Sequence, residues 1–401
     1  MTAQPSADGP TGLRDIRVLA LEASVSAPHC SRILADLGAE VIKIEKRETG
    51  DLIRGWDTVV HGLSTGFVWL NSNKRSFAID LSKPAGREVV QRLAERVDVV
   101  LENFTPGVAD RLGLGASELC RRNERLIYCS ISGYGQDGPY RDVKAYDLLI
   151  QGETGIIATT GYPESPAKVG VPITDLASSM YAAVGILAAL HQRERTGRGQ
   201  VIDISMFESS LAWLAYFPHY YWHKGEEPTR VGIRHHYIVP YGFYKARDGV
   251  YVSFAVATAQ DWEVFCRTVI QRPELLEDLR FRTAPDRREN RAILEDLVEK
   301  IFLELPHEEW LRRLHDSKLP YGKLNAIGDV LAHPLVKARK LIREIESPVG
   351  AVPVIASPLR MSETPVRSDP IPRLGQDTDV ILEELGYSAP EIEALRRDQV
   401  I

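Results

Sequence analysis

Residues 168–206 read KVGVPITDLASSMYAAVGILAALHQRERTGRGQVIDISM, an extended segment, a long apolar helix and then a strand. Leu176, Met180, Val184, Leu187 and His191 recur at helical spacing, with Asp175 standing where the helix opens. Arg193, Arg195, Gly197 and Gly199 read as a cationic last turn followed by a stop. Ser178 is not the Glu or Gln that would close a capping box. A carboxylate at a helix start meets free backbone N–H groups and the positive end of the helix dipole, which predicts an Asp175 that is ionised near neutral pH. Aspartate is also an ordinary N-cap, so spacing alone leaves a structural and a chemical role open.

Outward from this stretch the same alternation recurs. Arg17 to Leu21 reads as a strand, Pro28 to Leu37 as a helix and Val41 to Lys46 as a strand. A second unit follows: strand Ser76 to Leu81, helix Pro84 to Arg96, strand Val99 to Asn103. Leu126 to Ser132 is a further β-rich run ending at Gly133, Gly135 and Gly138. This pattern predicts an α/β fold, a Rossmann-like large domain whose parallel sheet is wrapped by helices. The first strand–helix turn, ALEASVSAPHC, has no GxGxxG, and no GxxxxGK[ST] occurs, so nicotinamide and ATP are disfavoured as direct cofactors. Composition shifts near Lys224. Residues 225–329 read as a smaller inserted α+β domain, between an N-terminal part, 1–224, and a C-terminal part, 330–401, with a Pro-rich crossing at Ser347 to Pro370.

The chain has 401 residues, 44% hydrophobic and 26% charged, with formal net charge −6, so no general attraction to nucleic acid or an anionic membrane is expected. An anionic cofactor would need a local basic cluster. Leu176 to Gln192 is uncharged but shorter than a bilayer span, which favours a buried core helix. The start, MTAQPSADGPTG, reads as a loose tail without a basic n-region or apolar h-region. Cys30, Cys120, Cys129 and Cys266 lack CxxC spacing and suit the reducing cytoplasm; no cluster has metal-ligand spacing.

Several segments, in order, resemble the class III CoA-transferases, the family of formyl-CoA:oxalate, carnitine and bile-acid CoA-transferases. They are VLALEASVSAPHCSRILADLGAEVIKIEK, WLNSNKRSFAIDL, DVVLENFTPG, SISGYGQDGPY, AYDLLIQGETG and the stretch around Asp175, within a likeness running from Leu13 to about Arg367. The resemblance implies that both chain ends build the large domain, and that two subunits thread through one another as an interlocked homodimer. It implies Asp175 as the nucleophile, a CoA thioester as substrate and no tightly bound cofactor. For CoA it implies Val25, Lys46, Leu70, Asn73, Lys74, Asn103, Phe104, Arg111 and Lys144. Taken without the resemblance, Lys46, Lys74 and Arg111, like Arg75, read as solvated surface charges. Some relatives carry a glycine-rich small-domain loop where this chain has Ala255 to Gln260, AVATAQ, which departs from that pattern.

Arg230, Arg234, His235 and His236 lie in a run similar to members that handle succinyl-CoA and small dicarboxylates, and could hold a distal carboxylate by charge-assisted hydrogen bonds; Tyr146 joins them as a candidate substrate residue. A packed or capping His-His pair in a boundary loop is the competing reading. Gly62-Leu63-Ser64-Thr65-Gly66 fits the GxSxG elbow of serine hydrolases, but its surroundings read as loop and strand, without the helix that an elbow requires. Racemases of the same fold family carry a histidine where this chain has Tyr146, which counts against that chemistry; a CoA-ester lyase or isomerase stays open. A noncatalytic CoA-binding protein would need the basic positions but not Asp175.

Overall fold

Near-continuous apolar runs suit strands covered on both faces, and RVLAL, VVLE and IYCSIS form such strands. The computed structural model describes residues 12–401, so all but the last residue of the expected loose start lies outside the described residues. Its main sheet has six strands: β1 (Arg17–Leu21), β2 (Glu40–Glu45), β3 (Lys74–Ala78), β4 (Val99–Glu102), β5 (Ile127–Ser132) and β6 (Val201–Ser205). All pairings are parallel, in the order β3-β2-β1-β4-β5-β6. The order reverses between β1 and β4, and a crevice opens beyond the carboxyl ends of the strands at such a point.

Strand residues alternate between two cores. Leu19, Ile42, Phe77, Val100 and Tyr128 pack on one face with Val89, Val90 and Leu93. Val18, Ala20, Val41, Val99, Leu101 and Ile127 pack on the other with Leu34, Ala182, Ala183 and Ile186. The helices concerned are α1 (Ser26–Asp36), α2 (Pro84–Ala94), α3 (Asp147–Glu153) and α4 (Ile173–Thr196). At 24 residues, α4 outruns its uncharged stretch and is long and apolar enough to cross a membrane by length and composition. Here it lies along the sheet, burying Ala177, Ser178, Ser179, Ala182, Ala183, Ile186 and Ala189. Gly197, at φ +73°, ends it, and the buried Arg193 pairs with Asp98 at 3.0 Å. Gly199 is required by close approach, since a Cβ there would stand 1.9 Å from the Leu126 carbonyl oxygen.

The chain divides into two compact units: one runs to Ile156 and takes in Val169–Pro218 and Lys337–Ile401, and the other comprises Ile157–Lys168 and His219–Val336. In the first, the C-terminal segment covers the free edge of β3. Ser76 N donates to Asp377 Oδ2 at 2.8 Å, and Ala78 N to Thr378 Oγ1 at 3.1 Å. In the second, the antiparallel strands β7 (Tyr241–Lys245), β8 (Tyr251–Ala255) and β9 (Tyr321–Lys323) pack against α5 (Arg291–Phe302) and α6 (His307–Asp316). Its core stacks Tyr244, Phe254, Phe302 and Trp310, whose indole N–H donates to Phe302 O at 2.9 Å.

Element boundaries shift from the sequence reading where polar residues join a strand or helix. α1 starts at Ser26, two residues before the expected Pro28, and β3 starts at Lys74, two before Ser76. The GxSxG serine, Ser64, is buried and does precede a short helix, Thr65–Leu70, contrary to expectation, but no strand leads into it. Residues 255–260 also depart from a glycine lid: Thr258 caps the helix Ala259–Val264 through a capping box with Asp261.

Candidate active site

The chain leaving β1 turns into α1 through Ala23, Ser24 and Val25, and Asn103 staples that turn from the end of β4. Its Oδ1 accepts Ala23 N at 3.0 Å, and its Nδ2 donates to Ala23 O at 2.8 Å and Ser26 Oγ at 3.3 Å. Ser24 sits at φ +67°, a left-handed conformation unfavourable for a residue with a Cβ, and its N–H is held by Asp51 Oδ1 at 3.0 Å. Ser26 then opens α1, which packs against α4.

Asp175 does not open α4. The helix starts at Ile173, and Asp175 occupies its first turn. The capping role falls to Asp147 of α3, whose Oδ1 accepts Thr174 N and Thr174 Oγ1, each at 2.9 Å. Gln151 Nε2 holds the other oxygen at 2.8 Å. This departs from the expectation of an aspartate ionised near neutral pH. Burial first, and then the negative charge of Asp147, push the Asp175 carboxyl up to about 7, against the opposing pull of Ser26. The positive end of the helix is already engaged by Asp147.

One turn along both helices, His29 Nδ1 lies 2.6 Å from Ser179 Oγ. The Ser179 hydroxyl donates to Leu176 O at 2.8 Å, so His29 Nδ1 must carry the proton and donate. Burial, with the charges of Lys74 and Arg32, lowers His29 to about 4 and keeps the ring neutral.

Behind the crevice is a fully buried ionic cluster. Glu22 Oε1 accepts Lys43 Nζ at 3.1 Å and Lys74 Nζ at 2.8 Å, and Lys43 also reaches Asp51 at 2.8 Å. Lys74 further donates to Pro28 O at 2.9 Å and Asn71 Oδ1 at 3.1 Å, so it is no solvated surface charge. Burial pushes the Glu22 carboxyl up, but the two ammonium charges overcome this and hold it at about 2. Burial brings Lys74 down to about 8. At the carboxyl ends of β1 and β2 a cavity of about 560 Å³ is lined by Leu21, Ala23, Lys46, Asp51, Ile79 and Phe104, among others.

Of the residues singled out for CoA, Lys46 and Phe104 line this cavity, and Asn103 is the staple beside it. Val25 and Leu70 are buried in one apolar cluster with Ile53 and Phe67. Asn73, at φ +67°, donates to Asp36 Oδ1 at 2.6 Å and accepts from Asp369 N, so its amide is taken up in tethering the C-terminal segment. Arg111 and Lys144 are exposed and are not among the residues lining the cavity.

The candidate acyl-site residues do not form one cluster within either unit. Tyr146, in the first, is 67% exposed and directly precedes α3. In the second, the Arg230 guanidinium is filled by the carbonyls of Tyr162, Ala158 and Pro163 at 2.8, 3.3 and 2.5 Å. His235 stacks on Tyr241, and its Nδ1 accepts Tyr237 N and Ile238 N, which requires a neutral ring. His236 O accepts from Arg291 at 2.7 Å, and burial lowers both histidines. Arg234 lies over the Tyr244 ring, pairs with Glu299 at 2.6 Å, and lines a second cavity of about 560 Å³ with Lys245, Tyr251, Arg291 and Glu295.

Ser26, Asp147, His29 and Glu102 were not legible as site residues. Glu102 ends β4, accepts Phe104 N at 2.8 Å, and is raised by burial to about 7. A usable signal was available for two of them: Glu102 adjoins Asn103 in DVVLENFTPG, and Asp147 adjoins Tyr146 in AYDLLIQGETG. Among the described residues no group of three or more His, Cys, Asp or Glu is placed to hold a metal ion.

The model for CoA-transferase family III matches residues 13–378. The chain is 36% identical over 404 residues to a succinyl-CoA:glutarate CoA-transferase of Mus musculus, covering 99% of this chain and 92% of that one. It is 36% identical over 401 residues to a succinyl-CoA–D-citramalate CoA-transferase of Chloroflexus aurantiacus, covering 98% of each. The crystal structure of a CAIB/BAIF family protein from Brucella suis superposes with TM-score 0.83 at 36% identity, covering 94% of this chain and 99% of that one. The chain belongs to CoA-transferase family III and is a CoA-transferase.

Proposed function

We propose that this member of CoA-transferase family III moves CoA from an acyl-CoA donor, with succinyl-CoA as first choice, to a four- or five-carbon dicarboxylic acid such as itaconate, mesaconate, citramalate or malate. Asp175 is the nucleophile. The observation that carries the reading is its setting: a half-buried carboxylate in the first turn of α4, raised to about 7 by burial and Asp147. Glutarate and D-citramalate transferases at 36% identity support the substrate class.

The chemistry uses what burial costs the carboxylate. Its oxygen attacks the thioester carbonyl, the C–S bond breaks, and the electron pair leaves with the CoA thiolate, giving a mixed anhydride on Asp175. The thiolate then attacks the aspartyl carbonyl of the anhydride. The donor acid leaves as its carboxylate and an enzyme–CoA thioester remains. The acceptor carboxylate reverses the two steps and departs as its CoA ester. Both covalent intermediates make Asp175 neutral, so each removes the desolvation cost and the repulsion from Asp147.

Lys46, Phe104 and Asn103 are the part of the CoA site nearest the crevice in this reading, with Arg111 and Lys144 reaching the phosphates once CoA is bound. Arg234 is retained as the candidate for the distal carboxylate, its cavity being cationic on balance. The proposal includes an interlocked homodimer, which the family resemblance implies, and a place in the cytoplasm, which four free cysteines suit. A transfer assay read by mass spectrometry tests it: purified protein, succinyl-CoA and a panel of free acids. New CoA esters of dicarboxylic acids support the proposal. Transfer confined to monocarboxylates such as formate or carnitine refutes the substrate class, and isomerised or cleaved acyl-CoA without transfer refutes the reaction.

A further inference from the structure

The polar groups lining the second unit's cavity of about 560 Å³ differ in how many of their hydrogen bonds are already used. Four cations, Arg230, Arg234, Lys245 and Arg291, and two carboxylates, Glu295 and Glu299, line it. On α5, Arg291, Glu295 and Glu299 follow one another at i, i+4 spacing and so share a face. Arg291 is engaged: Nη1 donates to Glu295 Oε1 at 2.9 Å, and Nη2 to the carbonyls of His235 and His236 at 2.9 and 2.7 Å. Arg230 is taken up by three backbone carbonyls. Arg234 and Lys245 remain.

Arg234 is built into its place. Its backbone bridges to Gly242 of β7. A Cβ on Gly242 would stand 2.5 Å from Arg234 Cδ and 2.7 Å from the Ile233 carbonyl oxygen, so the glycine makes room for the arginine stem. The guanidinium lies 3.8 Å over the Tyr244 ring, and the side chain is 10% exposed. Its hydrogen bonding is nevertheless incomplete. Nη2 donates to Glu299 Oε1 at 2.6 Å, while the buried Nη1 has no partner. The Glu299 side chain is 55% exposed, and ion pairs held by such a side chain contribute little. Lys245 is exposed at the end of β7, and its ammonium forms no hydrogen bond or ion pair with any described residue. Val231, Ile233, Phe243 and Leu303 give the same cavity an apolar wall.

We infer that this cavity binds the carboxylate of a short aliphatic acid on the Arg234 fork, and that Glu299 holds the fork as an internal competitor. A carboxylate that spans Nη1 and Nη2 gives the orphaned donor a partner, which the single contact of Glu299 does not. Glu299, on the outer side of the pair, turns to solvent when displaced. Lys245 adds a second positive charge, and the apolar wall takes the aliphatic chain. The inference deepens the proposed function and rests on its assignment of Arg234 to a distal carboxylate. It adds Glu299 as the residue that sets how tightly that carboxylate is held.

The test is the binding of glutarate, without a CoA ester, to the full chain by ligand-observed NMR at fixed ionic strength. Wild type is compared with Glu299→Gln, Lys245→Met and Arg234→Lys. Glu299→Gln removes the competing charge and tightens binding about two- to fivefold, the worth of an exposed ion pair. Lys245→Met weakens binding by about the same factor. Arg234→Lys keeps the charge but loses the fork, and weakens binding about tenfold or more. No saturable binding in wild type, unchanged or weaker binding in Glu299→Gln, or wild-type binding in Arg234→Lys overturns the inference. If Arg234→Lys does not fold, the other two variants decide it, since both alter exposed side chains and must move in opposite directions. The KM for glutarate as acceptor in the same variants keeps the two ideas apart. Binding shifts as stated with KM unmoved, or with no transfer at all, uphold the site and refute its part in acyl recognition. A KM that follows binding supports both.

Discussion

Replacing Asp175 by asparagine should stabilise the protein while removing its activity. Burial and Asp147 raise the carboxyl from an ordinary 3.8 to about 7. Three units correspond to about 4 kcal/mol that the folded state loses when this group ionises, because the unfolded chain ionises it freely. Asp175 retains some solvent contact, and screening reduces the figure to about 2 kcal/mol. Since the folded pKa lies above the unfolded one, the cost is absent below about pH 4. It grows between about pH 4 and 7, and is complete above that. Asparagine keeps the shape and an oxygen for Ser26 but carries no charge. The gain should therefore be about 2 kcal/mol at pH 8, about 2–4 °C in Tm for a unit of this size, and should shrink as pH falls towards 4. Thermal melts of both proteins from pH 5 to 8 measure it. A variant that is less stable than wild type at pH 8, or equally shifted at every pH, would refute the electrostatic reading.

Asp147→Asn removes the opposing charge but keeps an oxygen for Thr174, so the acidic limb of kcat should move down by up to about one pH unit; an upward shift would contradict this. Glu22→Gln leaves two buried ammonium groups with one fewer carboxylate and should cost about 3 kcal/mol or more in denaturant unfolding; a loss under ~1 kcal/mol would show that the cluster is easily neutralised. Arg234→Ala should raise the KM for dicarboxylates more than for the CoA ester, while Arg230→Ala, which loses three carbonyl partners, should lower stability with little change in that ratio. Equal KM effects would remove Arg234 from the acyl site.

The sheet was legible because its strands are nearly unbroken apolar runs with period-two side-chain alternation, which a single segment carries by itself. The helix α4 was legible for the same reason, and so was its stop at Gly197. What escaped depends on partners far away in sequence. Asp175 looked like the residue opening a helix, but the cap comes from Asp147 and depends on the packing of α3 against α4. Lys74 looked like surface charge in NKRS, and only the approach of Glu22, 52 positions earlier, makes it a buried ion. Arg230 and His235 sat in a suggestive cationic run, yet their polar atoms serve the backbone of their own unit. Spacing reports which residue types are near one another in the chain; it does not report which of their hydrogen bonds are already used.

The central claim is that the Asp175 carboxylate carries CoA in turnover. Incubation with succinyl-CoA, trapping with hydroxylamine and peptide mass spectrometry tests this directly, because hydroxylamine converts an aspartyl thioester into a hydroxamate on the same residue. The account predicts a hydroxamate on Asp175 that forms only with acyl-CoA and disappears when an acceptor acid discharges the enzyme first. A hydroxamate on another residue, or brisk transfer with Asp175 unmodified, would contradict it.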